Sequence, residues 1–198
     1  MLIAGTGGLG IEILGILIQD DYPHEIFFYD DKTYQGEKLF GKYPVISGIE
    51  NLKIFFKNHS KEFIVGIGNP RIREKVVNKI VQIGGEFSSV ISQKAHIFHY
   101  NQIAEGCIIQ PGVGMSHGIE TGIGCAFHIH SSIGHSTKIG KYVNIGPAVT
   151  IIGPCEIGDY AYIGADVLVM PNFRIGKNAI VQAGSKVTRD VLDCESYE

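Results

Sequence analysis

The chain has 198 residues, a formal net charge of -3 at pH 7 and 44% hydrophobic residues, which is ordinary for a globular protein of one or two domains. A net negative charge offers no basic surface, so we expect no nucleic acid and no membrane as partners. The sequence contains no apolar run near the length of a membrane span and opens on no signal-peptide pattern, so the expected location is cytoplasmic.

The first 31 residues have the order of a nucleotide-binding βαβ unit. An apolar strand at residues 1–4 leads into the turn GTGGLG at residues 5–10, a helical pattern and a second strand at 26–29 that ends in Asp30 and Asp31. A glycine turn that opens a helix presents free N–H groups to a phosphate, and an acid about 20 residues further on is typical of nucleotide-binding units. The same glycines could serve only to pack the helix on the strand, and the acids could form a solvated turn.

After a polar loop, the pattern predicts a helix at 51–58, a strand at 63–67 and a helix at 70–83 that begins at Pro70. This leaves room for one mononucleotide-sized βαβαβ half, without the second half of a full dinucleotide fold, and it argues against a dehydrogenase. We therefore predict an α/β N-terminal mononucleotide-binding (half-Rossmann) domain at residues 1–88 and a second domain at 89–198.

From Ile91 to Val187, an apolar residue returns at every sixth position, with Thr121 as the one polar exception. Each repeat predicts a short strand plus a turn, and this period is typical of a parallel β-helix. Small residues two positions earlier suit a narrow prism with three repeats per coil. The cysteines at positions 107, 125 and 155 fall there, so we predict buried thiols. A glycine often follows the periodic residue, where we expect a tight bend.

Runs such as IGKYVNIG at residues 139–146 are similar to the hexapeptide-repeat acyltransferases. With the GTGGLG turn, the Asp pair and VGIGNPRIR at residues 65–73, the chain resembles the NeuD/PglD family of sugar O- and N-acetyltransferases over nearly its whole length. The resemblance implies an all-β left-handed parallel β-helix after the nucleotide-sugar domain. It also implies a homotrimer that binds acetyl-CoA, the co-substrate, between adjacent subunits.

The resemblance further implies which residues form the site, with no metal among its parts. The residues expected to face the nucleotide-sugar are Gly7, Gly8, Leu9, Asp30, Asp31, Gly68 and Asn69. The residues expected to line the acetyl-CoA site, partly through backbone groups, are Asn144, Gly146, Gly164, Ala165, Ala183 and Lys186, with Arg189 as a second cation for the CoA phosphates.

His135 matches the catalytic histidine of the family, and we predict it to be the general base. The family commonly has an acidic residue directly after this histidine, where this chain has Ser136. A hydroxyl can orient an imidazole but cannot stabilise an imidazolium as a carboxylate does. The family position near the thioester, often histidine, is Asn144 here, whose amide can still donate to a carbonyl.

The predicted reaction is direct transfer of an acetyl group from acetyl-CoA to an amino group of a nucleotide-linked sugar, with a UDP-4-amino sugar favoured. O-acetylation of sialic acid or another sugar is the alternative. His99, His117 and His135 are 18 residues apart and should stack at one corner, which leaves open a zinc site like that of the γ-class carbonic anhydrases. The missing acid leaves open a scaffold that binds a nucleotide-sugar without turnover.

Overall fold

The computed structural model describes residues 1–32, 34 and 36–198 and divides into two compact units, Met1–Val90 and Ile91–Glu198. Each unit has its own buried apolar core. Among the described residues, no helix has the length and apolar character needed to cross a membrane.

The first unit is a six-stranded sheet with three helices. Its elements in chain order are β1 (Leu2–Ala4), α1 (Gly8–Gln19), β2 (Phe27–Tyr29), β3 (Lys38–Leu39), β4 (Tyr43–Ile46), α2 (Ile49–Asn58), β5 (Glu62–Val65), α3 (Pro70–Val81) and β6 (Glu86–Phe87). The strand order is β3-β4-β2-β1-β5-β6, and all neighbours are parallel except β3 and β4. The buried central strand β1 therefore lies where the strand order reverses, which places the loops after β1 and β5 side by side.

One part of the sequence prediction for this unit was wrong. The stretch predicted as a polar loop contains β3 and β4, and β4 pairs in parallel with β2 through Val45 and Ile46. This short segment also contains Pro44, and proline within a run usually argues against a strand. The prediction failed because the strand depends on its neighbour β2 rather than on a pattern of its own.

The second unit is a parallel β-helix of two-residue strands. In chain order they are β7 (Val90–Ile91), β8 (His96–Ile97), β9 (Gln102–Ile103), β10 (Ile108–Ile109), β11 (Gly114–Met115), β12 (Glu120–Thr121), β13 (Ala126–Phe127), β14 (Ser132–Ile133), β15 (Lys138–Ile139), β16 (Asn144–Ile145), β17 (Thr150–Ile151), β18 (Glu156–Ile157), β19 (Tyr162–Ile163), β20 (Leu168–Val169), β21 (Arg174–Ile175), β22 (Ile180–Val181), β23 (Lys186–Val187) and β24 (Ser196–Tyr197). Every third strand joins the same sheet, up to β23. Face 1 runs from β7 to β24 through β10 and β16, face 2 from β8 to β23, and face 3 from β9 to β21.

The register confirms a coil of 18 residues, because Ile109, Phe127, Ile145, Ile163 and Val181 pair in succession. The last coil is two residues shorter, since Val181 pairs with Tyr197. The periodic side chains form one buried cluster with the three inward cysteines, as predicted. The first position is an exception: Ile91 is 41% exposed, because it lies in the first coil and no preceding coil packs against it.

The glycines that follow the periodic residues were expected to form tight bends, but the structure shows a different reason for them. Gly134 does not adopt a positive φ. Instead, a Cβ there would lie 2.2 Å from the backbone nitrogen of Gly153 in the next coil. The left-handed conformation occurs two residues later, for example at Gly118 and Ser136. Close approach between coils therefore requires glycine at position 134, and the bend itself occurs elsewhere.

Candidate functional site

The glycines of the GTGGLG turn after β1 differ in why glycine is present. Gly5 has a φ of +108°, which favours glycine, and a Cβ on Gly10 would lie 2.0 Å from the carbonyl oxygen of Gly5. A Cβ on Gly66, after β5, would lie 2.5 Å from the Cα of Gly10, so α1 packs directly on the sheet. Gly7 and Gly8, by contrast, face open space.

The amino end of α1 is open to a ligand. Gly7 is the N-cap residue, and no side chain among the described residues caps the helix. Uncapped N–H groups and the positive end of the helix dipole together suit a phosphate. Leu9 contributes only its backbone here, since its side chain is 8% exposed and belongs to the core.

Asp30, which follows β2, braces the glycine turn. Its Oδ2 accepts hydrogen bonds from the Thr6 backbone N–H at 3.2 Å and from the Thr6 hydroxyl at 2.6 Å, and the residue is 8% exposed. Its Oδ1 accepts from the Lys32 N–H at 2.9 Å. Oδ2 thus joins the loops after β1 and β2, and Oδ1 stabilises the loop after β2.

Asp31 is part of an ion-paired group with Tyr29 and Lys79. Its carboxylate accepts from the Lys79 ammonium and the Gly48 N–H, each at 2.7 Å, and from the Tyr29 hydroxyl. Partial burial of Asp31 works against its ionisation, but these donors outweigh it and lower the pKa of the Asp31 carboxyl. Burial, followed by the contact with Asp31, raises the pKa of Tyr29.

The loop after β5 is fixed by two side chains. The Asn69 Oδ1 caps α3 by accepting from the N–H groups of Arg71 and Ile72 at 3.0 and 3.1 Å. The fully buried guanidinium of Arg73 donates to the carbonyls of Ile67 and Gly68 at 2.8 and 3.1 Å. Sequence reasoning did not assign Arg73 a role, because its position in the helix gives no sign of burial.

The predicted nucleotide-sugar residues therefore follow three adjacent strands, β2, β1 and β5. Parallel strands end at one edge of a sheet, so Gly7, Asp31 and Gly68 lie on loops at the same edge. Their arrangement gives an uncapped helix end beside two loops stiffened by Asp30 and Arg73.

In the β-helix, the predicted base lies at the corner between faces 2 and 3. His135 follows β14 and is exposed, and its ring stacks on that of His117 with centroids 5.4 Å apart and planes 10° apart. The predicted stacking of the histidines is thus observed for this pair. The ring of His99 contacts Tyr100 edge-on.

Ser136 is the hydrogen-bonding neighbour of this base. Its hydroxyl lies 3.4 Å from the Nδ1 of His135, and its φ is +56°. Among the described residues, no carboxylate forms an ion pair with His135. No carboxylate of the described chain therefore replaces the acidic residue that commonly follows this histidine in the family.

The predicted acetyl-CoA residues gather at the corner between faces 1 and 2. Gly146 and Gly164 lie one above the other, and a Cβ on either would lie 2.8 or 2.6 Å from the backbone nitrogen of Ala165 or Ala183 in the following coil. Asn144, in β16, is 3% exposed. Its Oδ1 lies 3.3 Å from the Nε2 of His128, a half-buried residue one coil above Gly146 that sequence reasoning did not single out.

The two predicted cations differ in their surroundings. Lys186 is exposed on face 2, in β23. Arg189 binds Glu195 with nitrogen–oxygen distances of 2.7 and 3.4 Å and lies over the Tyr197 ring. The charge of Arg189 is thus balanced by Glu195, whereas the Lys186 side chain is exposed.

One chain does not bring the predicted base and Asn144 together. His135 lies at the corner between faces 2 and 3, whereas Asn144 lies on face 1, on the other side of the prism. Any site that uses both residues must therefore take them from two copies of the chain.

The PglD N-terminal domain family matches residues 1–80, and the bacterial transferase hexapeptide family matches residues 154–189. GDP-perosamine N-acetyltransferase of Escherichia coli is 34% identical over 176 residues, a match that covers 84% of this chain and 76% of that protein. The chain belongs to the PglD-type family of hexapeptide-repeat sugar acetyltransferases.

Solved structures agree with this assignment. A histidine variant of the Caulobacter crescentus perosamine N-acetyltransferase, in complex with CoA and GDP-perosamine, superposes with a TM-score of 0.90 at 23% identity over 97% of this chain and 90% of that one. The acetyltransferase domain of PglB from Neisseria gonorrhoeae, in complex with acetyl coenzyme A, gives 0.87 at 21% identity over 97% and 92%. These structures confirm the predicted fold class. The Escherichia coli relative confirms the prediction of an acyltransferase.

The histidine column offers no metal centre in the described part of the chain. No three His, Cys, Asp or Glu residues there come together in a way that could hold a metal ion.

Proposed function

We propose that the protein transfers an acetyl group from acetyl-CoA to an amino group of a nucleotide-linked sugar. The match to GDP-perosamine N-acetyltransferase carries the proposal. It covers 84% of the chain, more than either unit contains, so the relative shares both the nucleotide-binding unit and the β-helix. The open amino end of α1 supports binding of the nucleotide phosphates by the first unit.

In this proposal, His135 takes the proton of the sugar amine as the nitrogen attacks the thioester carbonyl. The carbon–nitrogen bond forms, the carbon–sulfur bond breaks, and the CoA thiolate leaves and takes up a proton. The Asn144 amide of an adjacent copy donates to the carbonyl oxygen as its negative charge develops. In this proposal the pantetheine arm lies along the corner at Gly146 and Gly164, where the close approach of the following coil excludes side chains.

The nucleotide is the part of the substrate to establish first. The family resemblance favours a UDP-sugar, whereas the Escherichia coli relative is a GDP-perosamine N-acetyltransferase. Release of CoA thiol should be measured with UDP- and GDP-linked amino sugars, each beside its hydroxyl counterpart. We expect turnover with an amino sugar. Turnover confined to the hydroxyl sugars would replace the proposal with O-acetylation.

Replacement of His135 with alanine tests the base. We expect kcat to fall by about 100-fold or more, as for the loss of a general base, with a small change in the KM for acetyl-CoA. His24→Ala, an exposed histidine of the first unit, is the matched control and should keep the wild-type rate. An unchanged kcat in His135→Ala would remove this residue from the mechanism.

We also propose that the active unit is a homotrimer whose sites lie between subunits. Sedimentation should then give three times the 21.6 kDa mass of one chain. Co-expression of His135→Ala with Asn144→Ala should restore activity above that of either variant alone, because mixed trimers contain interfaces with both intact side chains. If verified mixed trimers showed no restored activity, His135 and Asn144 of adjacent copies would not form one site.

A further inference from the structure

The contact of the His135 ring with Ser136 is too weak to hold the ring in one orientation by itself. The side chain is exposed, and its Ser136 contact is long at 3.4 Å. A general base acts efficiently only when its nitrogen is held towards the proton that it removes. An exposed imidazole with one weak contact would spread over several rotamers.

The coil above supplies a ring against which His135 packs. Ser136 donates its N–H to the carbonyl of His117 at 3.0 Å, so the two corners are joined through their backbones. The rings of His117 and His135 then stack at 5.4 Å and 10°. This separation lies within the range in which aromatic pairs attract each other.

The coil below has a glycine at the equivalent position. A Cβ on Gly153 would lie 2.0 Å from the carbonyl oxygen of His135, so a side chain is excluded there. Among the described residues, the one ring that stacks on His135 is therefore that of His117, in the coil above.

We propose that His117 is a positioning residue for His135 and acts through the face of its ring. The inference rests on the proposed role of His135 as the base. In this arrangement, stacking on His117 orients the imidazole of His135, as an adjacent carboxylate would do. The proposal does not require the contact between the His117 Nδ1 and the Ser116 hydroxyl, 3.4 Å apart, so another flat ring should serve as well.

The experiment compares three substitutions of His117 in the full-length protein. His117→Ala and His117→Leu remove the ring, and His117→Phe keeps it. We expect kcat to fall by about 3- to 10-fold in His117→Ala and His117→Leu, with the KM for acetyl-CoA unchanged, and to stay near wild type in His117→Phe. An unchanged kcat in His117→Leu, or a loss in His117→Phe equal to that in His117→Ala, would overturn the proposal.

Histidine ring resonances test the stack without reference to activity. In protein with labelled histidine, the His135 ring protons should carry an upfield ring-current shift that His117→Leu removes and His117→Phe retains. If that shift is present but His135→Ala turns over normally, the proposed base is wrong while the stack is real. If the shift is absent from the wild-type protein, the positioning role of His117 is wrong whatever His135 does.

Discussion

The Oδ1 of Asn144 lies 3.3 Å from the Nε2 of His128, so a half-buried imidazole restrains the amide of a residue that is 3% exposed. With its proton on Nε2, His128 donates to the amide oxygen, and the amide nitrogen remains available as a donor. This geometry suits Asn144 for a contact with a carbonyl.

Asn144→Ala should therefore weaken acetyl-CoA binding. We expect the dissociation constant from isothermal titration to rise by about 2- to 13-fold, the range for loss of one hydrogen bond to a neutral group. Gln102→Ala, an exposed position on face 3, is the control and should bind as the wild type does. Equal affinity in Asn144→Ala would mean that the amide does not contact the ligand.

Ser136→Asp should increase kcat. A carboxylate beside His135 would stabilise the imidazolium that forms as the base takes its proton, and aspartate tolerates the left-handed backbone found here. We expect a rise of about 3- to 30-fold, corresponding to one charge-assisted contact. Ser136→Asn has the same shape without the charge and should give no such rise. Equal rates in the two variants would show that charge at this position does not limit turnover.

Gly10→Ala should destabilise the first unit, because its Cβ would meet the Gly5 carbonyl oxygen at 2.0 Å and the backbone would have to move. We expect the free energy of unfolding to fall by about 1–3 kcal/mol. Gly8→Ala, in the same helix with open space around it, should change stability by less than about 1 kcal/mol or increase it. Denaturant titrations measure both, and equal stability of the two variants would contradict the packing role of Gly10.

Asp31→Asn should make the first unit less sensitive to acid. The folded protein holds the pKa of Asp31 below its ordinary value of 3.8, so its carboxylate adds stability above that pH and loses it as the pH falls through the folded pKa. At neutral pH, we expect wild type to exceed Asp31→Asn by about 0.5–1 kcal/mol, since Lys79 is partly exposed. The difference should shrink below about pH 4 in unfolding curves measured across pH. A constant difference would mean that ionisation of Asp31 does not stabilise the fold.

The features that repeat in the sequence were predictable. A sixfold apolar period fixes which side chains point inward, so the spacing of the cysteines at 107, 125 and 155 was enough to place them in the core. The glycine turn and the Asp pair likewise marked the loops after β1 and β2.

The features that depend on a neighbouring segment were not predictable in the same way. The strand β4 forms because β2 lies beside it, and Gly134 is needed because Gly153 of the next coil approaches it. The contact of His128 with Asn144 joins residues that the sequence separates by 16 positions. The sequence also gives no sign that the Arg73 guanidinium is buried against the carbonyls of Ile67 and Gly68.

The 18-residue register also limits how the length of this protein can change. Removal of one six-residue repeat ahead of β16 would move every later strand to a different face. Asn144 would then leave face 1, and the stacked columns on either side of the cut would no longer match. Removal of a whole coil keeps each residue on its own face. The coil in which Val181 pairs with Tyr197 is two residues shorter and departs from this register. Where the 18-residue register holds, insertions and deletions inside the β-helix should therefore be tolerated in whole coils.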